Sequence, residues 1–134
     1  MSVVYVDTSA ALKLVWREAE SEAYLQYAQS QLTLGARLVS SQLLEVELAR
    51  FAVRENLNHA DTIAPIVEQH SRITITADIV RRAVGIQHHV RSLDAIHLAT
   101  ALHLGSSLKA FVTYDRMLGT VAEKLGLPVV APTT

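Results

Sequence analysis

Val3-Val4-Tyr5-Val6-Asp7-Thr8-Ser9 is the stretch that decides the fold of this chain. Residues 3–6 form a short apolar run, which is typical of a strand buried on both faces of a parallel sheet. Asp7, Thr8 and Ser9 are residue types that cap helix N-termini, so a helix is expected to begin at about Ala10. A strand that leads directly into a helix is the repeating unit of α/β proteins.

The same alternation of short apolar runs and amphipathic stretches continues along the chain. Further strands are predicted over residues 37–39, 73–75, 110–113 and 129–130. Helices are predicted over residues 20–31, from Ser40 or Ser41 to about Asn56, and over residues 60–69, 76–88, 92–104 and 116–125. This order predicts a single α/β domain over residues 1–134, a three-layer α/β/α sandwich with a central, mainly parallel sheet of about five strands.

Composition narrows the classes of protein to which the chain can belong. Half of its 134 residues are apolar and it has no cysteine, which excludes disulfides, Cys-zinc sites and thiol catalysis. No apolar run approaches the roughly 18 residues of a membrane span, and no signal peptide is visible at the N-terminus. A cytoplasmic protein without membrane contact is therefore expected. Twelve basic against thirteen acidic residues neither support nor exclude a nucleic-acid substrate.

Four acidic residues stand out because the predicted fold brings them to one place. Asp7 and Asp115 directly follow predicted strands, and Asp94 falls in the first turn of a predicted helix. Since ligands collect at the carboxyl ends of parallel strands, these three carboxylates are expected at one edge of the sheet. On a helical wheel Glu47, rather than Glu45, borders the apolar face of its helix. Converging carboxylates repel one another unless a hard cation such as Mg²⁺ or Mn²⁺ binds them, and such a site suits phosphate chemistry.

Each of these acids also has a purely structural explanation. Asp7 and Asp115 are good N-cap residues, and Asp94 in a first helical turn interacts favourably with the helix dipole. Glu47 has Arg50 three residues later and can form an ion pair with it. The residues taken one by one leave both explanations open.

Other phosphate-handling classes lack their motifs in this chain. No glycine-rich turn follows residues 3–6 and there is no P-loop, which argues against a nucleotide-dependent dehydrogenase and against P-loop enzymes. An aspartate-nucleophile phosphatase usually has a second Asp two residues after the first, where this chain has Ser9.

Four motifs, taken in order, resemble those of the PIN domain, and more narrowly those of the VapC family of toxin ribonucleases. They are Val6-Asp7-Thr8-Ser9-Ala10, the acidic helix over residues 40–50, Arg91-Ser92-Leu93-Asp94-Ala95-Ile96-His97-Leu98-Ala99, and Phe111-Val112-Thr113-Tyr114-Asp115. The similarity covers essentially the whole chain. Within residues 40–50, the Ser-Ser start and the Glu-x-x-Arg spacing place the family glutamate at Glu47, in agreement with the helical wheel.

The resemblance implies a metal-dependent endoribonuclease, a hydrolase of RNA phosphodiester bonds. In the family, carboxylates at the positions of Asp7, Asp94 and Asp115 bind Mg²⁺ or Mn²⁺, and Glu47 completes the catalytic quartet by orienting or deprotonating the attacking water. Three further residues are expected to position water, phosphate or substrate: Thr8, Thr113 and Arg50.

The resemblance also implies partners. Toxins of this family are held inactive by a cognate VapB-like antitoxin, and a homodimer and a higher toxin–antitoxin assembly are expected together with an RNA substrate. Two alternatives share the same fold. One is a PIN-domain nuclease in RNA processing or DNA cleavage, and the other is a catalytically silent PIN-domain binding module.

Overall fold

A five-stranded parallel sheet forms the centre of the computed structural model, which describes residues 2–134. The strands lie in the order β3-β2-β1-β4-β5, and every neighbouring pair is parallel. Their bounds are β1 Val3–Val6, β2 Arg37–Ser41, β3 Ser71–Ile73, β4 Leu108–Val112 and β5 Val129–Val130. The predicted parallel sheet of about five strands is confirmed.

Helices cover both faces of this sheet. They are α1 Thr8–Val15, α2 Ser21–Thr33, α3 Leu43–Arg54, α4 His59–Thr62, α5 Ala64–Glu68, α6 Ala77–Val84, α7 Ser92–His103 and α8 Arg116–Lys124, with a short 3₁₀ helix at Gly105–Ser107. Alternate strand residues face two separate cores. Val4, Val6 and Val112 pack with α1, α2 and α3, whereas Tyr5 and Phe111 pack with α7 and α8. Two cores on opposite faces of one sheet are the predicted three-layer sandwich.

Some helix boundaries differ from the prediction for local reasons. The helix expected over residues 60–69 is two short helices, α4 and α5, with Pro65 in the first turn of α5. Proline has no N–H to continue an earlier helix, so its place is a helix start. The helix expected to continue towards His88 ends at Val84, because Gly85 terminates it. Neither Ser40 nor Ser41 is the N-cap of α3, since both belong to β2.

The connection between strands fixes where a ligand site can form. The chain proceeds from β1 outwards to β2 and β3, and then returns through α6 and α7 to β4 on the opposite side of β1. Such a reversal leaves a crevice at the carboxyl ends of the two central strands. The backbone N–H of Asp7 donates to the carbonyl oxygen of Val112 at 2.9 Å and holds these two strand ends together.

None of the helices within residues 2–134 combines the length and the apolar character needed to cross a lipid bilayer.

His70 lies buried between α5 and β3 and gives the fold a testable dependence on pH. Its side chain is 3% exposed, and Nδ1–H donates to the carbonyl oxygen of Ile66 at 2.8 Å. Burial, with a smaller contribution from the positive charge of Arg72, lowers the pKa of His70 below its ordinary value. The unfolded chain therefore binds a proton as pH falls through about 6.5 while the folded chain does not, and this destabilises the fold at acid pH.

We expect the His70→Phe variant to lose less stability than the wild type between about pH 8 and about pH 5.5. The free energy of unfolding, measured by urea denaturation of metal-free protein, checks this. His59→Gln, at an exposed position of α4, is the matched control and should keep the wild-type dependence on pH. An equal or steeper loss in His70→Phe would contradict the assignment.

Candidate active site

Asp7 is the most buried of the four predicted carboxylates, at 4% exposed. Its Oδ2 atom accepts hydrogen bonds from the Ser9 backbone N–H at 3.3 Å, the Ser9 hydroxyl at 2.7 Å and the Thr113 hydroxyl at 2.9 Å. Asp7 is thus the N-cap of α1, as its structural explanation requires. The cap uses only Oδ2. Oδ1 lies 3.8 Å from His97 Nε2 and remains available to a ligand.

The two carboxylate oxygens of Asp115 also have different partners. Oδ1 accepts the backbone N–H of Leu118 at 3.1 Å and caps α8. Oδ2 faces the guanidinium of Arg91 at 3.7 Å. The same guanidinium donates through Nε to Asp94 Oδ2 at 3.2 Å. Asp7 and Asp115 thus each cap a helix through one oxygen, which leaves the other oxygen for a second contact.

Asp94 is partly buried near two other carboxylates. Burial raises the pKa of Asp94, Arg91 opposes that rise, and the negative charges of Asp7 and Asp115 add to it. The pKa of Asp94 consequently lies above its ordinary value. Asp7, Asp94 and Asp115 are thus near enough for their charges to repel, which is the condition that a bound cation relieves.

Glu47 reaches this edge from α3 and is held by two donors. Its Oε1 atom accepts hydrogen bonds from His97 Nε2 and from the Thr8 hydroxyl, both at 2.7 Å. Burial would raise the pKa of Glu47, but these hydrogen bonds and the positive charge of Arg91 bring the pKa below its ordinary value. Glu47 has no ion pair with Arg50 within residues 2–134, so the structural explanation given for this residue is not observed.

A hard cation fits the chemistry of these donors, although the present arrangement does not assemble a ligand set. Across residues 2–134, no three His, Asp or Glu side chains are arranged to bind one metal ion. The Arg91 guanidinium instead supplies positive charge to Asp94 and Asp115. Arg91 is 81% exposed and can turn towards solvent. The free Oδ1 of Asp7 and the two carboxylates that now face Arg91 are oxygen ligands of the kind that Mg²⁺ and Mn²⁺ prefer.

The three other predicted residues, Thr8, Thr113 and Arg50, differ in their contacts with the acidic site. Thr8 and Thr113 both contact the carboxylates, and the Thr113 hydroxyl also accepts the Asp115 backbone N–H at 3.1 Å. Arg50 is exposed on α3 and makes no ion pair in the part of the chain that the structure describes. Its substrate-positioning role stays a prediction.

Arg91, His97 and Tyr5 also belong to the site, although none of them is among the predicted site residues. Arg91 is one helical turn before Asp94, and that i,i+3 spacing was a usable signal for their ion pair. His97 follows Asp94 by one helical turn, a spacing that allows contact with the pocket, although packing behind the pocket was the favoured expectation. Tyr5 gave no such signal, because an aromatic residue in a buried strand is usually core. The structure brings both residues beside Glu47 from separate elements.

Three cavities border the acidic edge and leave it open to a large ligand. The first, of about 550 Å³, is lined in part by Thr113 and Asp115. The second, of about 320 Å³, ends at Arg91, Asp94 and Asp115. The third, of about 250 Å³, contains Glu47, Arg91 and Asp94. The first and second cavities share Asp115, and the second and third share Arg91 and Asp94, so the three cavities adjoin one another along the acidic edge.

The amino-acid sequence matches the family model of the PIN domain over residues 4–130. It is similar along its whole length to ribonucleases of Mycobacterium tuberculosis (strain ATCC 25618 / H37Rv). Ribonuclease VapC35 is 39% identical over 133 residues, which cover 97% of each chain. Ribonuclease VapC46 is 34% identical over 139 residues, which cover 98% of this chain and 99% of that protein.

Two solved structures share the fold. One is the crystal structure of VapBC2 from Rickettsia felis bound to a DNA fragment from their promoter, with a TM-score of 0.76, 9% identity and coverage of 97% of this chain and 98% of that chain. The other is the structure of FitAB bound to IR36 DNA fragment, with a TM-score of 0.66 and 16% identity. The match covers 96% of this chain and 94% of that chain. At these identities the likeness concerns the fold alone.

Proposed function

Because the chain belongs to the PIN domain family and, within it, to the VapC ribonucleases, we propose that it is a divalent-metal-dependent endoribonuclease and the toxin of a toxin–antitoxin pair. One geometric observation supports this proposal above the others: the Arg91 guanidinium lies 3.2 Å from Asp94 and 3.7 Å from Asp115, so both carboxylates face the same point. Asp7 lies at the carboxyl end of β1 on the same edge of the sheet, and its Oδ1 atom is not used by the helix cap.

Asp7, Asp94 and Asp115 would hold the ion, through oxygens that are free or that now face Arg91. When bound, Mg²⁺ or Mn²⁺ lowers the pKa of water and stabilises negative charge on phosphoryl oxygens. The protein itself holds these carboxylates in position through hydrogen bonds. Thr113 and Ser9 fix Asp7 through Oδ2, and the cap to Leu118 fixes Asp115 through Oδ1.

Glu47 acts on the attacking water. Its Oε1 atom is occupied by His97 and Thr8, which leaves Oε2 to orient the water or accept its proton. The lowered pKa of Glu47 keeps it ionised, as a proton acceptor must be. Thr8 therefore acts on the substrate through Glu47, and Thr113 acts through Asp7. Arg50, exposed one helical turn after Glu47, would bind an RNA phosphate.

A VapB-like antitoxin is the proposed protein partner. Two of the solved structures that share the fold are of VapBC2 and FitAB, each bound to DNA, which supports an assembly of the same kind here. A homodimer within a larger toxin–antitoxin assembly, and action on cytoplasmic RNA, belong to the same proposal.

The proposal is tested with purified, antitoxin-free protein. Total cellular RNA and single-stranded DNA of matched length are each incubated with Mg²⁺, with Mn²⁺ and with a chelator. Discrete RNA fragments that need metal are expected. Cleavage of DNA instead would favour the alternative nuclease role. Intact RNA and DNA, with no metal binding by calorimetry, would favour a silent binding module.

Arg91 provides a prediction that concerns metal binding alone. Its guanidinium competes with a cation for Asp94 and Asp115, and exposed ion pairs of this type are weak. We therefore expect Arg91→Gln to bind Mn²⁺ about two- to fivefold more tightly than the wild type, by calorimetry without RNA. Arg17→Gln, which removes an exposed arginine paired with Glu22, is the control and should leave the affinity unchanged. Weaker binding by Arg91→Gln would show that Arg91 does not compete with the ion.

A further inference from the structure

We propose that His97, which is hydrogen-bonded to Tyr5, is a positioning residue. It orients the Glu47 carboxylate so that Glu47 can orient the attacking water or accept its proton. This inference rests on the proposed function, since it concerns the same site. It adds two residues from outside the acidic quartet and assigns them an effect on turnover rather than on metal binding.

His97 lies in α7 one helical turn after Asp94 and is 1% exposed. Its Nε2 atom is 2.7 Å from Glu47 Oε1, and its Nδ1 atom is 2.6 Å from the hydroxyl of Tyr5. Both ring nitrogens are thus engaged. Because an ionised carboxylate only accepts hydrogen bonds, Nε2–H must donate to Glu47.

Tyr5 makes this arrangement rigid. It is fully buried in β1, stacks on Phe111 with ring centroids 5.3 Å apart, and meets the His97 ring edge-on at 5.9 Å. The imidazole cannot rotate without breaking its bond to the tyrosine hydroxyl. A line of hydrogen bonds therefore runs from the central strand of the sheet, through α7, to the catalytic carboxylate on α3.

These hydrogen bonds also determine the orientation of the second carboxylate oxygen of Glu47, Oε2. A glutamate side chain has several rotatable bonds, and this one is partly exposed. His97 and Thr8 bind the same oxygen, Oε1, and so hold the carboxylate in one orientation with Oε2 turned to the remaining space. Partners that orient a site residue in this way typically contribute 10- to 100-fold to activity.

The test compares four variants in RNA cleavage, with kcat and KM measured separately. His97→Phe keeps a ring but loses both hydrogen bonds, and its kcat should fall about 10- to 100-fold while KM and Mn²⁺ affinity change little. His97→Gln keeps an N–H donor and should recover part of that loss. Tyr5→Phe removes only the hydroxyl and should lose less than His97→Phe. Thr100→Val is the control, because its buried hydroxyl donates to the carbonyl oxygen of Ile96 within the same helix, and its kcat should be unchanged.

A purely structural role predicts different results. In that case kcat per folded molecule would stay at the wild-type value in His97→Phe, or His97→Gln would be no better than His97→Phe. Either result overturns the inference while the nuclease activity of the wild type stands. If His97→Phe does not fold, the comparison of His97→Gln and Tyr5→Phe with the wild type decides in the same way.

A second measurement needs no RNA. In NMR spectra of the metal-free wild type, the Nε2 proton of His97 should be visible and protected from exchange with water. It should exchange faster in Glu47→Ala, and an unprotected proton in the wild type would contradict the hydrogen bond. A wild type that cleaves no RNA under any condition would instead remove the proposed function, and this inference with it, even if the Nε2 proton is protected.

Discussion

The variant Asp94→Asn should cleave RNA about 1,000-fold more slowly than the wild type, or not measurably. Asparagine keeps the shape of aspartate but not its charge, and a neutral amide is a poor ligand for a hard cation. A cation that stabilises the transition state contributes several kcal/mol, and about 4 kcal/mol corresponds to a factor of about 1,000 in rate. The variant should also bind Mn²⁺ much more weakly in calorimetry.

Loss of activity in this variant should not come from loss of the fold. The raised pKa of Asp94 means that its negative charge is unfavourable in the metal-free protein, chiefly because it is buried. Metal-free Asp94→Asn should accordingly be at least as stable as the wild type near neutral pH, by thermal or urea denaturation. Asp61→Asn, in the exposed part of α4, is the matched control and should keep full activity. Full metal-dependent cleavage by Asp94→Asn would remove Asp94 from the site.

Glu47→Gln should lower kcat by about 100-fold or more, and yet leave Mn²⁺ binding close to that of the wild type. The amide cannot take a proton from water, and general-base catalysis is worth about 100- to 10,000-fold. Its oxygen can still accept hydrogen bonds from His97 and Thr8, so the side chain keeps its place. The loss then measures proton transfer rather than a displaced side chain.

The comparison of these two variants separates the roles of the carboxylates. Asp94→Asn should lose metal and activity together, whereas Glu47→Gln should lose activity alone. If Glu47→Gln lost Mn²⁺ affinity as strongly as Asp94→Asn, Glu47 would be a metal ligand and the proposed division would be wrong. Calorimetry with Mn²⁺ and single-turnover cleavage of one defined RNA substrate provide both quantities for each variant.

Much of the fold could be predicted because its information is local. β1, β4 and β5 contain short apolar runs and most helices have a recognisable periodicity, so the order of the elements follows from the sequence. β3 was expected at residues 73–75 but lies at Ser71–Ile73, and its exposed Ser71 and Arg72 give no apolar signal from which this start could be predicted.

Asp7 and Asp115 were expected together because both follow a strand of a parallel sheet. Glu47 was chosen over Glu45 by its place on the helix surface, and the structure turns Glu47 towards His97.

The parts of the site and fold that could not be predicted depend mainly on contacts between residues distant in sequence. Tyr5 and His97 are 92 positions apart. His97 could be expected near the pocket from its spacing to Asp94, whereas Tyr5 looks like an ordinary core residue of a strand. Their hydrogen bond exists only because β1 and α7 pack against each other. The break between α4 and α5 could not be predicted from the local sequence either. Pro65 is compatible both with a kinked helix and with a new helix start.

One titration tests the central claim, that the ion bound by Asp7, Asp94 and Asp115 is what enables RNA cleavage. Mn²⁺ is added stepwise to metal-free protein, and the bound fraction, read from the electron paramagnetic resonance signal of free Mn²⁺, is compared with the initial cleavage rate in the same samples. The account predicts that rate and bound Mn²⁺ rise together in the wild type and that Asp94→Asn shows neither over the same range. Cleavage that reaches its full rate before Mn²⁺ is bound, or that persists in Asp94→Asn, would contradict it.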